Sequence, residues 1–380
     1  MTMDWTSLMP HAPIHAGATE YVQRPDGASE KITNWILAKR SPVLLGGPAG
    51  VGKSTELAQA AQMLQPHRVA CLIPLDRWEN MRRLGPDRLL QRIAGSVASL
   101  ATTTPGLTLS PGLVEESAQE VSSRWSPASL AQLVLVEVAR LSPHGRIALL
   151  LDGLEKVPEG PAALELFDAL AALPEEVDLV AVIPWHAAFG PRAETIIRTG
   201  ERFVSARALD VSGDSGRDGR VFLRNVLLRR LQLPADALDP DRIAQETSRS
   251  LDGERARIAA RRDLVADAAM ASGGIPRIFL QLMADAASYA KLRREGDWPV
   301  AEDLNDAYAD QIDSFRRLLL PGDADAALAA AGTDGRELEL NRKIRLMAHG
   351  ILLESAIHRV PVLELHPLAL IAIEQGGRRA

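Results

Sequence analysis

Cysteine and aromatic residues are scarce in this chain. Its 380 residues hold one cysteine, Cys71. A single thiol excludes a disulfide framework, and its place inside an apolar run predicts a buried, inert side chain. Aromatic residues amount to 4%, so a core must be built from aliphatic side chains. No uninterrupted apolar stretch approaches the length that crosses a bilayer. Met1 to Ala18 is polar and proline-containing, without an apolar signal core, so a cytoplasmic protein with no membrane attachment is expected. The histidines at 11, 15, 67, 144, 186, 349, 358 and 366 show no metal-ligand spacing, which leaves no basis for a zinc site. No repeat with a period of about 20–50 residues is present. Positive charge is in deficit: 43 Lys and Arg stand against 49 Asp and Glu, a net −6. Nothing global therefore points to nucleic acid or to an anionic membrane.

What is present is an ordinary globular composition, 46% apolar and 24% charged, in a chain long enough for two or three cores. Its most specific feature is the run Gly47-Pro48-Ala49-Gly50-Val51-Gly52-Lys53-Ser54, followed by Thr55. This is G-x-x-x-x-G-K-[ST], the phosphate-loop pattern, matched at every fixed position. An apolar run, Pro42 to Leu45, leads into it, and a helical pattern, Ser54 to Leu64, leaves it. That strand–loop–helix setting is the context the pattern requires. Backbone N–H groups of such a loop form a nest for anionic oxygens, and the helix presents its positive end to them. Lys53 is expected to reach β- and γ-phosphates, and the Ser54 hydroxyl to help hold Mg²⁺.

Five short apolar or β-branched runs alternate with helical patterns between residues 41 and 210: Pro42–Leu45, Arg68–Leu75, Arg146–Leu151, Asp178–Ile183 and Arg202–Leu209. The alternation predicts a parallel sheet covered on both faces. Helices are expected at Asp87 to Ala101 and Pro127 to Leu141, with a loop at Thr102 to Gly112. From Val221 onward nearly everything carries helical periodicity: Arg220 to Leu231, Arg255 to Ala271, Arg277 to Arg294 and Val300 to Leu320. The end differs again. A helix is read at Glu337 to Leu353, a strand at Val360 to Leu365 and a closing helix at Leu368 to Ile373, a winged-helix-like succession.

A second acidic motif follows the third run. Ile147 to Leu151 are apolar and end in Asp152, then Gly153-Leu154-Glu155-Lys156. A buried strand delivering Asp152 at its C-terminal edge sets that carboxylate beside the phosphate loop, where it would help hold Mg²⁺. Glu155 is the candidate for orienting or deprotonating an attacking water. One strand-like run separates the two motif strands in sequence.

With these residues in view, the chain resembles the STAND and AAA+ groups of P-loop ATPases, including the origin-recognition-like ones. The resemblance covers residues 20 to 375 in layout and is sharp at three places: Gly46 to Thr55, Leu149 to Lys156, and Gly273-Gly274-Ile275-Pro276-Arg277. It departs from the pattern at Lys156, where a second acid often stands. The resemblance implies a P-loop α/β fold with a five-stranded parallel sheet flanked by helices, an α-helical lid and a small winged-helix-like C-terminal domain. It implies units at 1–40, 41–215, 216–335 and 336–380. It further implies that Pro276 packs on adenine, that Arg277 touches the γ-phosphate from the lid, and that Tyr21-Val22-Gln23-Arg24-Pro25 lies against the base. His186 is the nearest group to a sensor position, and Arg198 and Arg202 flank the place of an arginine finger acting in trans. An Asn-Lys-x-Asp element is absent, which favours ATP over GTP. The expected function is a slow ATP-binding and hydrolysing switch controlling self-association or a partner chain that carries sensing or effector action, with Lys156 bearing on the identity of the base and the rate. Two alternatives are a DNA-associated ATPase, reading DNA through Arg342, Lys343, Arg345 and His349, and a non-hydrolysing nucleotide-binding module.

Overall fold

A computed structural model of the chain describes residues 3–8, 18–119, 122, 124–189, 202–241, 251–294, 298–357 and 360–377. Strands form where aliphatic and β-branched residues run together: β1 Val43–Gly46, β2 Val69–Pro74, β3 Ile147–Asp152, β4 Val177–Val182 and β5 Arg202–Ser205. They pair in parallel in the order β2-β3-β4-β1-β5. β3 and β4 are buried along their whole length, which is why they read as unbroken apolar runs rather than alternating ones.

Side chains alternate between the two faces of the sheet. Val43, Leu45, Leu150 and Val182 lie in the core shared with the helices Ala28–Leu37 and Lys53–Leu64. Leu44, Cys71, Ile73 and Leu149 lie in the core shared with the helices Pro86–Thr103, Pro127–Leu141 and Pro161–Ala171. That second core runs without a break into the helical part, Arg217–Arg230, Leu251–Ala271, Pro276–Arg294 and Ala301–Leu318. Cys71 is buried, and burial pushes its thiol up to about 12, so it stays protonated and inert.

The structure adds the strand order of the sheet and corrects two element boundaries. β2, which lies between the motif strands in sequence, is the sheet edge in space, and β4 fills the gap between β1 and β3. The ends of β1 and β3 are thus two strand spacings apart, about 10 Å, leaving room for a ligand between the two motifs. The expected loop Thr102 to Gly112 is shorter: a helix runs to Thr103, and another, Pro111–Ala118, begins inside it. Pro111 stands at the first position of that helix, where its missing N–H costs nothing, so a residue read as a breaker is a starter. The helix read at Glu337 to Leu353 spans only Leu340–Ala348. Glu339 caps its start, accepting from the N–H groups of Asn341 and Arg342 at 2.9 Å each. Gly350, at φ +68°, turns the chain out of it. Leu352 and Leu353 then belong to β6, Leu352–Ile357, which pairs antiparallel with β7, Val360–Leu365. The closing helix, Pro367–Gly377, packs on Ala301–Leu318.

Candidate active site

The phosphate-loop residues lie where a parallel sheet places ligands, at the C-terminal end of β1. Gly46 ends the strand, and Lys53 opens the helix Lys53–Leu64. Gly52 precedes that helix at φ +102°, and no side chain caps its end. Its first N–H groups are therefore left to a ligand. Gly47, Pro48 and Val51 are buried, Ala49 is exposed at the tip, and Ser54 and Thr55 are half-buried on the first turn. The Lys53 ammonium is buried and donates to the carbonyls of Gly47 (2.8 Å) and Pro48 (3.0 Å). It is folded over the loop that a phosphate would occupy. Burial pulls its pKa below the ordinary lysine value, and the charges of Glu155 and Asp152 oppose that pull.

Asp152 ends β3 and is buried. Burial raises its pKa, against the hydrogen bond it makes with Ser54 and the charge of Lys53. Its Oδ1 has no hydrogen-bond partner among the described residues. Glu155 sits on the short 3-10 turn Leu154–Lys156. Burial raises its pKa too, against Lys53, and its Oε2 is likewise buried without a partner. Native proteins rarely leave such oxygens unpaired. Two desolvated carboxylates with spare oxygens, one ammonium and one hydroxyl form an oxygen-rich set suited to a hard divalent cation shared with phosphate. Among the described residues no group of three His, Cys, Asp or Glu could hold a metal by itself. A cation here would thus need ligand oxygens besides those of Ser54 and Asp152. Lys156, where a second acid was looked for, turns away and pairs with Asp76, the residue two past β2.

The turn before helix Pro276–Arg294 reaches the same loop. Pro276 has no N–H, so the helix's first amide donor is that of Arg277, and it bonds the carbonyl of Gly50 at 3.2 Å. Gly50 has φ +84°, and a Cβ there would stand 2.5 Å from Cβ of Arg277. Only glycine allows this approach. The Arg277 side chain is exposed, close enough for its charge to act on Lys53. Residues Tyr21, Val22 and Gln23 line a cleft of about 400 Å³ with Asn225, Leu228 and Arg229. Pro276 is not among its walls. His186, on the short helix Trp185–Phe189 after β4, has a buried Nε2 without a partner among the described residues, and burial lowers its pKa. Arg198 lies outside the described residues, as does the side chain of Arg202.

Sequence reasoning named the segment Tyr21 to Pro25 but missed what Arg24 does. Its guanidinium is buried, bonds both oxygens of Asp26, and donates to the main-chain carbonyls of Val51, in the loop, and Arg207, just past β5. Glu56, buried on the loop's helix, accepts from the N–H of Ser29, and burial pushes its pKa to about 7. An arginine before Pro25 was the only available signal, and it is a weak one.

No family model and no curated protein matches the chain. Solved structures do. The chain is similar to a Walker-type ATPase of Pyrococcus abyssi, at 12% identity over 97% of this chain and 99% of that one, with a TM-score of 0.56. It is also similar to the Aeropyrum pernix ORC1 protein in complex with DNA, at 16% identity over 99% and 98% of the two chains, with a TM-score of 0.48. The Aeropyrum pernix ORC2 protein in its ADP form gives 13% identity over 99% and 97%, with a TM-score of 0.47. The Pyrococcus structure shares the fold of this chain over nearly the full length of both. The fold is that of a Walker-type P-loop ATPase with a helical C-terminal part, as the three motifs implied.

Proposed function

We propose that this chain binds Mg²⁺·ATP at Gly47–Ser54, hydrolyses it slowly, and uses the nucleotide state to control self-assembly or a partner protein in the cytoplasm. One observation carries this reading. Lys53 and Asp152 are buried beside an uncapped helix N-terminus with the half-buried Glu155 next to them, and an oxygen of each acid is buried without a partner among the described residues. A purely structural cluster would have paired them.

In this reading the loop amides and Lys53 take the phosphate tail, and Lys53 leaves the carbonyls of Gly47 and Pro48 to do so. Ser54 and Asp152 would hold Mg²⁺, which when bound would offset the negative charge of the phosphate tail. Glu155 orients the attacking water and takes its proton, its raised pKa bringing it nearer a base's useful range. Arg277 offsets charge on the γ-phosphoryl oxygens, and the Tyr21–Gln23 cleft takes the base. Pro276 supports the turn that brings Arg277 to Gly50. With Lys156 tied to Asp76, Glu155 works without a second acid beside it, which fits slow turnover. Movement of the helical unit 216–335 against the core 41–215, with 336–380 following, would report the nucleotide to a partner.

Single-turnover hydrolysis tests this. Lys53→Ala is expected to lose ATP binding. Glu155→Gln is expected to keep binding and lose roughly 10²–10⁴ in rate. Wild type no faster than Lys53→Ala would end the enzyme reading and leave at most a nucleotide-binding module.

A further inference from the structure

The terminal hairpin touches the same hydrogen-bond network as the phosphate loop, although their residues are far apart in sequence. Glu354, on β6, is largely buried. One of its oxygens accepts from the Arg207 guanidinium at 2.8 Å, and the other accepts from the Ser205 hydroxyl at 3.1 Å. The main-chain carbonyl of the same Arg207 accepts from Arg24 at 2.9 Å. Arg24 also donates to the carbonyl of Val51, inside the loop. Residue 207 is therefore a hub: its side chain is held by the hairpin, and its backbone holds the arginine that holds the loop. The hub is fastened at a third point, because the N–H of Leu209 donates to the carbonyl of Gly274, in the turn that delivers Arg277. Nothing in the proposed chemistry uses Arg24, Arg207 or Glu354.

We infer that Arg24 is a positioning residue for the nucleotide loop, and that Glu354 of the terminal hairpin acts on that loop through Arg207 and Arg24. The inference rests on the reading that the loop binds nucleotide. Guanidinium geometry explains why an arginine is needed. Its planar fork bonds Asp26 through two nitrogens and still points N–H groups at two separate carbonyls, which an ammonium cannot do. With Glu354 in place, Arg207 is anchored and its carbonyl holds Arg24 against Val51. When the hairpin withdraws, Arg207 is released, Arg24 loses one of its fixed acceptors, and the loop loses the restraint on Val51. Nucleotide affinity then depends on where the hairpin sits. By linkage the nucleotide must in turn favour the docked hairpin.

The test is a double-mutant cycle on the full chain, read by the affinity and release rate of an N-methylanthraniloyl-labelled ADP with magnesium present. Arg24→Lys and Glu354→Gln are each expected to weaken ADP binding by roughly threefold to thirtyfold, chiefly through faster release. The double variant is expected to lose less than the product of the two single losses, because the route from Glu354 through Arg207 to Val51 passes through Arg24. Glu364→Gln, at an exposed position of the same hairpin, serves as the control and should match wild type. Thermal unfolding without nucleotide, run in parallel, separates lost affinity from lost folding. An affinity of Glu354→Gln within twofold of wild type overturns the inference, as does a double variant whose losses multiply. If wild-type protein takes up no labelled ADP, the nucleotide reading itself has failed, and that result is distinct from either of the others.

Discussion

His366 shows how far one residue's surroundings reach. It is fully buried between the hairpin and the closing helix. Its Nε2 meets the Ser272 carbonyl at 3.0 Å, and its Nδ1 accepts from the Leu368 N–H at 3.2 Å. Those partners need the neutral ring with its proton on Nε2, and burial lowers the pKa from 6.5 to about 4. The sign follows from linkage. The unfolded chain takes up a proton near pH 6.5 and the folded one only near pH 4, so the ring's contribution is full above 6.5 and is lost as pH falls through 4. The loss amounts to about 3 kcal/mol. Urea unfolding at pH 7 and pH 5 is expected to show lower stability at pH 5, and His366→Gln should remove that part of the slope. An unchanged slope in the variant would show that other groups carry it. At Arg277 the expectation is kinetic: Arg277→Ala should keep nucleotide affinity within a few-fold while single-turnover hydrolysis drops about 10²-fold.

Among elements, the ends of the sheet divide the labour. The C-terminal ends carry the candidate site. Near the opposite ends, Asp178 is fully buried and bonds Arg68 at 3.1 Å and Arg146 at 2.7 Å. Asp178→Ala would strand two arginines, and a loss of about 3–5 kcal/mol in urea unfolding is expected, with nucleotide affinity of the folded fraction unchanged. The Gly273-Gly274 turn is tighter still. Gly274 has φ +76°, and a Cβ there would lie 1.9 Å from the Leu209 carbonyl oxygen. Gly274→Ala is expected to cost about 3 kcal/mol or more from strained backbone and displaced chain together, and to slow single-turnover hydrolysis by moving Arg277. A variant as stable as wild type would mean the turn relaxes freely. Motif-bearing elements were legible because a phosphate loop, a buried strand and a proline-led helix are each written in consecutive residues. The helix Pro111–Ala118 and the early end at Ala348 were not, because Pro111 and Gly350 act through local backbone geometry that the apolar spacing does not register.

For the whole molecule, charge placement bears on the DNA-associated alternative. Arg342 and Arg345 both turn to the buried Asp323, and Lys343 donates to the Asp334 carbonyl. Cations already paired with the protein's own acceptors are poorly placed to release counterions from a duplex. Binding of a 20-base-pair duplex (the probe length is arbitrary) at about 0.15 M salt is expected to be weak, with a salt slope corresponding to fewer than about three phosphates. A steep slope would reinstate the DNA reading. Particle mass measured with ADP and with a slowly hydrolysed ATP analogue is expected to differ, and equal masses would exclude nucleotide-controlled self-assembly.

The sequence alone determined the phosphate loop, the acid that ends the third strand, the parallel sheet and the helical part after it. Each is a local pattern whose physics acts between neighbours in the chain. Only the tertiary structure decided that β4 lies between the motif strands, that Lys156 pairs with Asp76 across 80 residues, and that Arg24 bonds both Val51 and, 183 residues from itself, Arg207. Those two side-chain contacts are made by charged groups reaching a carboxylate and carbonyls that only folding brings within hydrogen-bond range, and spacing along a chain carries no record of them.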